Sequence, residues 1–421
     1  MNRFLGPVAV GVAASVIAAG LTVSAAPVLA TSTHDGKSPT HAHPASWRGQ
    51  FVSSVHLRGF SAGQLREWLA GDGFDTGTVR YGVDAYRVVY RTVDVRNRPT
   101  TASGLVVLPR NGERRLATVS YGHGTNINKA EAPSMLGNVW TGAPAATFAA
   151  GGFAAVAPDY LGMGVGPGAP PWKHVPSETT ASLDLLRAAR RFVPRHGRTL
   201  ERDVMVTGFS QGASAALGLA RVLQDDRWFR LRAIAPISGA YDFRGAELPA
   251  LVSEEEPPQI NPKAAVVYSS YLLTSWNRIH GLYDDPSEIF EAPYDTRVEG
   301  FFDGTTPAQD VVGGLPGTLD ELLTEDGLAM LRHPRGRFAE ALRQDEVCTG
   351  WVPHVPIRLY KISRDEEAVT ANTDHCHAAF AASGRDVPVV DVGEVTYEGS
   401  RHLGSNLAGT ALVARWFAGL R

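Results

Sequence analysis

The chain has 421 residues, 44% of them hydrophobic and 20% charged, with a net charge of −3. This is ordinary globular composition, enough for one large domain or two small ones. The charge balance leaves no basic footprint for nucleic acid, and two cysteines without a CxxC cannot by themselves build a tetrahedral zinc site.

Met1-Asn-Arg gives a positive start, and Phe4 to Ala26 is apolar and rich in small residues. Val28-Leu29-Ala30 fits a small-x-small cleavage site, with Ser24-Ala25-Ala26 as the alternative. Residues 1–30 therefore read as a secretory signal peptide, which predicts a secreted mature protein. The competing reading is an uncleaved membrane anchor, but Gly, Ala and Pro dilute the run and a cleavage site follows it. Residues 31–46 are polar, with Pro, Gly, Ser and three histidines, and read as a disordered linker. His41-Ala-His43 reads as part of a solvated tail rather than a metal site.

Residues 47–421 form the folded domain. Ser61-Ala-Gly-Gln64 is a capping box opening a short helix through Leu69, ended by Gly71 and Gly73. Tyr86–Val93 alternates in side-chain character, and Gly104–Leu108 follows across a turn containing Pro99. Together they predict an antiparallel pair at a sheet edge. Leu116–Tyr121 is a strand ending in Gly122-His-Gly-Thr125, and Phe153–Ala157 is a strand ending in Pro158-Asp-Tyr160. Glu178–Phe192 is a helix, Val204–Thr207 a strand followed by a helix to about Leu223, and Arg232–Ile237 another strand. Short apolar strands alternating with helices predict an α/β fold, a mostly parallel sheet covered on both faces.

The alternation breaks in an insertion from about 242 to 350. Helices are expected there over Ala264–Ile279, from a capping box at Thr318-Leu-Asp-Glu321, and over Phe338–Val347. Its aromatic residues, from Tyr268, Tyr271 and Trp276 to Phe301 and Phe302, serve either its own core or a cap lining a cleft. The sheet pattern resumes with Ile357–Ile362, a helix over Asn372–Ala382, Val387–Val392, and a last helix from about Asn406 to Leu420.

The chemistry centres on Gly208-Phe-Ser210-Gln-Gly212. A strand, G-x-S-x-G and a helix make a nucleophile elbow, in which a strained turn lifts the serine hydroxyl clear of the backbone. The bare pattern is weak, and the flanking elements give it weight; a tight turn with a capping serine is the bland alternative. A serine hydroxyl needs a base, and the base needs an orienting acid. On such a sheet the order is Ser, acid, His. His402 follows the last strand, on a loop before the final helix, and is the candidate base. If so, kcat/KM falls as acid protonates it, from a reference pKa of about 6.5. The acid belongs on Ser363-Arg-Asp365-Glu-Glu, where counting from Tyr360 picks Asp365 and counting back from Val369 picks Glu366. The oxyanion donors are the backbone N–H groups of Gln211 and Thr125. His123 shapes that early loop, and Asp159, lying before the serine, orders its own loop. Cys348 and Cys376 flank the acid strand. A disulfide between them would close a loop of about 28 residues and contribute roughly 3–4 kcal/mol.

These residues carry a resemblance. Ser103-Gly-Leu-Val-Val-Leu-Pro, Tyr121-Gly-His-Gly-Thr, Ala157-Pro-Asp-Tyr-Leu-Gly-Met-Gly, Gly208-Phe-Ser-Gln-Gly, Pro236-Ile-Ser-Gly and Phe301-Phe-Asp-Gly resemble secreted α/β-hydrolases of the lipase A type, from about Gly82 to the C-terminus. The resemblance implies an α/β-hydrolase fold with a helical cap insertion. It also implies carboxylic-ester hydrolysis by a Ser–Asp–His triad, carried over to Ser210, Asp365 and His402. Two positions depart from the family: Ala213 stands where Gly or His is common, and Asp365-Glu-Glu-Ala-Val where Asp-x-x-Val-Pro is usual. The expected substrate is a small-molecule or lipid ester, with no metal, no organic cofactor and no nucleic acid, and a lipid-interface contact would run through the cap. The rival readings are a secreted peptidase on the same fold and a non-catalytic binding protein.

Overall fold

A computed structural model describes residues 47–421; the expected signal peptide (1–30) and linker (31–46) lie outside the described residues. The strands are β1 (Phe51–Phe60), β2 (Val83–Val93), β3 (Pro99–Pro109), β4 (Arg115–Gly122), β5 (Ala154–Pro158), β6 (Thr199–Phe209), β7 (Arg230–Ile237), β8 (Leu359–Lys361) and β9 (Val389–Asp391). They form one sheet in the order β1-β2-β3-β5-β4-β6-β7-β8-β9. Neighbours from β1 to β5 pair antiparallel, and every pair beyond is parallel. The expected hairpin is β2–β3, with Tyr86 opposite Val106.

The edge position goes instead to β1, which the sequence reading did not find. Most of its side chains are exposed, so it lacks the half-buried alternation that marks a strand. The helices of the body's first half are α1 (Ala62–Gly71), α2 (Val139–Ala150), α3 (Val175–Phe192) and α4 (Gln211–Leu223). At α1 the capping box forms as expected: Gln64 N donates to Ser61 Oγ at 3.2 Å, and Ser61 N to Gln64 Oε1 at 2.9 Å. Helix α2 was also not foreseen. Every residue from Thr141 to Ala150 is buried, so no polar face betrays its period.

The two faces of the sheet are read off β6. Val204 and Val206 point into one core with α3 and α4, while Met205 and Phe209 point into a second with α1, α2 and the last helix. Between β7 and β8 the chain leaves the sheet for α5 (Leu248–Leu251), α6 (Pro262–His280), α7 (Val298–Phe301), α8 (Ala308–Gly314), α9 (Leu319–Leu322), α10 (Glu325–Arg332) and α11 (Gly336–Gln344). This insertion has a core of its own around Tyr271, Trp276, Phe290 and Phe302.

The chain returns through α12 (Ala371–Ala382) and α13 (Arg401–Ala418). Cys348, at the end of the insertion, is joined to Cys376 on α12 by a disulfide, with Cα atoms 5.0 Å apart. Among the described residues no helix is long and apolar enough to cross a membrane.

Candidate active site

Strand β6 delivers Ser210 to the N-terminus of α4. The turn is tight because three backbones meet there. A Cβ on Gly208 would collide with the Gly212 carbonyl, and one on Gly212 with the Gly122 carbonyl of β4. Ser210 adopts φ 56° and ψ −121°, a conformation that costs energy in any residue but glycine. Its own N–H is held by Ile237 O at 2.9 Å, so the strain is pinned to the end of β7. The side chain is half-buried.

After β8 the chain turns through Asp365, Glu366 and Glu367, and each carboxylate has a different partner. Both oxygens of Asp365 face His402 Nδ1, at 2.9 and 3.0 Å, and the two side chains are 2% exposed. Asp365 Oδ1 also accepts the Glu367 and Ala368 N–H groups, at 3.1 and 3.0 Å. Glu366, the alternative acid, faces elsewhere. It accepts from Ser400 Oγ at 2.5 Å, Arg401 N at 3.3 Å and His402 N at 3.2 Å. It therefore satisfies the free N–H groups at the start of α13 and stands where the helix dipole favours negative charge. Glu367 accepts from the Tyr268 hydroxyl of α6 at 2.5 Å.

His402 is not on a loop, as expected, but in the first turn of α13. That helix starts at Arg401 rather than near Asn406, with Ser400 Oγ accepting from Leu403 N at 3.0 Å. Gly404 and Ser405 are poor helix formers, which hid this turn in the sequence. The capping by Ser400 and Glu366 supplies what local propensity lacks. The His402 ring lies 4.6 Å from the ring of Phe209, next to Ser210. Its Nδ1 is taken by Asp365, and Nε2 has no hydrogen-bond partner among the described residues.

Burial alone would depress the His402 pKa, but the charges of Asp365, Glu367 and Glu366 outweigh it and raise it to about 9. Glu247, fully buried in the insertion, was not singled out in the sequence. Burial pushes it up to about 8, and Asn372 Nδ2 donates to it at 2.6 Å. Nothing local in the chain marks it, because its partners come from α12.

The early loop lies against Phe209 and Ser210. A Cβ on Gly124 would press on the Phe209 ring and come within 3.5 Å of Ser210 Cβ, so glycine there lets the loop approach. Thr125 Oγ1 accepts from Trp172 Nε1 at 3.0 Å, and no hydrogen bond engages the Thr125 N–H among the described residues. Gln211 is the first residue of α4, so its N–H has no partner within the helix. Its side chain donates to Glu178 at 2.6 Å, a carboxyl that burial raises to about 8. His123 is fully buried, and burial lowers it to about 4. Its Nδ1 lies 2.7 Å from Gly124 O and its Nε2 3.3 Å from Asp159 O, as a loop-shaping residue requires. Asp159 accepts from Ser103 Oγ and Ser134 Oγ, each at 2.5 Å, and from Ser134 N at 2.9 Å.

Beyond the Thr125 side chain, Tyr268, Trp172, Tyr271 and Phe302 stack in that order, with neighbouring centroids 4.5 to 5.9 Å apart. A cavity lined by Trp172 and Tyr271 together with His123, Tyr160 and Gln211 holds only about 10 Å³. That is no more than one water.

No protein-family model and no curated sequence matches the chain. Solved structures do match. A Legionella pneumophila protein provisionally assigned as a hydrolase aligns at 21% identity and TM-score 0.78, covering 88% of this chain and 98% of its own. The rice cell wall degrading esterase LipA from Xanthomonas oryzae, in a ligand-bound form, aligns at 25% identity and TM-score 0.76, covering 87% and 97%. Candida antarctica lipase A aligns at 14% identity and TM-score 0.59, covering 81% and 76%. The chain has a lipase-A-type α/β-hydrolase fold. Strands β4, β6, β7 and β8 run parallel, so the Gly122–Thr125 loop, Ser210 and the Asp365 loop all follow strand ends on one edge of the sheet, and His402 meets that edge at Asp365.

Proposed function

We propose that this carboxylic ester hydrolase works through Ser210, His402 and Asp365. The observation that carries the reading is the pairing of Asp365 with His402 Nδ1 beside an elbow serine at φ 56°. Asp365 fixes the ring so that Nε2 is the nitrogen turned to the reaction. His402 takes the Ser210 proton as the hydroxyl attacks the ester carbonyl. The oxyanion of the tetrahedral intermediate is held by the Gln211 and Thr125 N–H groups. His402 then protonates the leaving alcohol, and water, activated by the same ring, releases the acid from the acyl-enzyme. Catalytic hydrogen bonds are often long before substrate arrives, so the Ser210–His402 bond is expected to close in the complex.

The insertion acts as the cap. Tyr268 of α6 holds Glu367, two residues from Asp365, so movement of α6 would be felt at the acid loop. The signal-peptide reading and the disulfide support a secreted enzyme. The cap carries any lipid-interface contact. Rates over an acyl-chain series, above and below substrate solubility, test that part.

The test of the chemistry is turnover of a short p-nitrophenyl ester by Ser210→Ala. Loss of turnover with an unchanged melting curve is expected, and retained turnover would reject the assignment. Parallel assays with a peptide anilide separate ester hydrolysis from peptidase activity.

A further inference from the structure

Three side chains outside the site converge where the insertion joins the body. Asp242 follows β7 at the start of the insertion, Glu346 follows α11 at its end, and His375 lies on α12. Each carboxylate has one oxygen already fastened by backbone. Asp242 Oδ1 accepts from Gly245 N and Glu346 Oε1 from Cys348 N, both at 2.7 Å. The second oxygens face the imidazole: Asp242 Oδ2 is 3.3 Å from Nδ1, and Glu346 Oε2 is 3.3 Å from Nε2.

Neither approach is aligned as a hydrogen bond. His375 Nε2 is shielded from solvent and has no hydrogen-bond partner. A buried ring nitrogen left unpaired beside a carboxylate oxygen calls for an explanation. An ion held by one ring nitrogen and both carboxylates would supply one. Ligands about 2.0–2.1 Å from a tetrahedral ion stand about 3.3–3.4 Å apart. One ligand atom from each of the three residues lies within 4.8 Å of the other two. Any pair wider than the tetrahedral spacing of about 3.3–3.4 Å would have to close on loading.

We propose that Asp242, Glu346 and His375 bind a divalent cation of the zinc class, with water completing its shell. One imidazole and two carboxylates suit a borderline first-row ion better than calcium, which takes oxygen ligands alone. Two carboxylate charges balance the ion. The bound ion would fasten both ends of the insertion to α12, next to the Cys348–Cys376 disulfide. The sequence conceals the site because its ligands come from three distant segments. The proposal is independent of the reading of Ser210.

The test is Zn²⁺ titration of the chelator-stripped full-length protein, with its disulfide intact, by competition against a chromophoric chelator. One equivalent should bind with a micromolar or tighter Kd and raise the Tm. Asp242→Asn, Glu346→Gln and His375→Ala should each weaken binding tenfold or more, whereas Ser210→Ala should bind as the parent does. The two conservative amides keep the test readable if His375→Ala fails to fold. No binding by the parent would overturn the proposal. Binding that survives all three variants would place the ion on other histidines, such as His34, His41 and His43, and overturn it equally.

Discussion

The sheet around β6 and the insertion between β7 and β8 are held together differently. Around β6 the packing is backbone on backbone and apolar: glycines of β4, β6 and α4 meet at the elbow, and valines fill the cores on either side. The insertion has a largely aromatic core of its own and is tied to the rest by the Trp172 stack, the Cys348–Cys376 disulfide and polar bonds between buried or half-buried groups. Tyr268 donates to Glu367, Asn372 to Glu247, Lys173 to Asp345 and Trp276 to the Trp172 carbonyl. Ser210, Asp365 and His402 all belong to the sheet and its own helices. The insertion supplies their surroundings. Changes in the first region should therefore remove the chemistry, and changes in the ties should alter stability, access or pH response.

The largest expected effect is that of Ser210→Ala, about 10⁶-fold in kcat with stability unchanged. Asp365→Asn comes next, at about 10⁴-fold, because the amide favours the wrong tautomer of His402. Glu366→Gln, one residue on, sharpens the contrast. It weakens the start of α13 by about 0.5–2 kcal/mol, and its loss of kcat should be far smaller. If the two variants lose activity equally, the division of labour between the neighbouring carboxylates is wrong.

The ties are broken most severely by Asp345→Ala. Lys173 and Asp345 are 1% and 3% exposed, and removing the carboxylate strands a buried ammonium. A loss of about 3–5 kcal/mol in denaturant unfolding is expected, with kcat largely kept in the protein that remains folded. A stability change within error would show that water reaches Lys173.

The smallest effect concerns pH. His402 must be neutral to take a proton, and its neighbours hold it at about 9. The acid limb of kcat/KM should therefore lie above the reference 6.5 expected from the sequence. Glu367→Gln removes a charge that favours the protonated ring, so the limb should move to lower pH. The same raised value makes the charged pair stabilising below about 6.5, and that stability is lost as pH rises through about 9. An acid limb that stays put in Glu367→Gln would separate the insertion's tie from the chemistry.

Much of this was legible in the chain. The β2–β3 pair, the parallel strands, the elbow and α12 follow from periodicity and glycine placement, because each is set by neighbours in sequence. The register between Asp365 and Glu366 was not. Both carboxylates are acceptors on one loop, and only the arrival of α13 decides which meets the imidazole and which meets the helix N-terminus. Helix α2 and strand β1 escaped for opposite reasons, one buried on all sides and the other exposed on both. Glu247, Tyr268 and the Asp242–Glu346–His375 group take their meaning from partners far along the chain, which no local pattern encodes.

The most direct test of the central claim is the site of covalent labelling by a fluorophosphonate. One adduct per chain on the Ser210 peptide, absent in Ser210→Ala and slowed strongly in Asp365→Asn, is the predicted result. An active protein that takes no label, or takes it on another residue, would contradict the account.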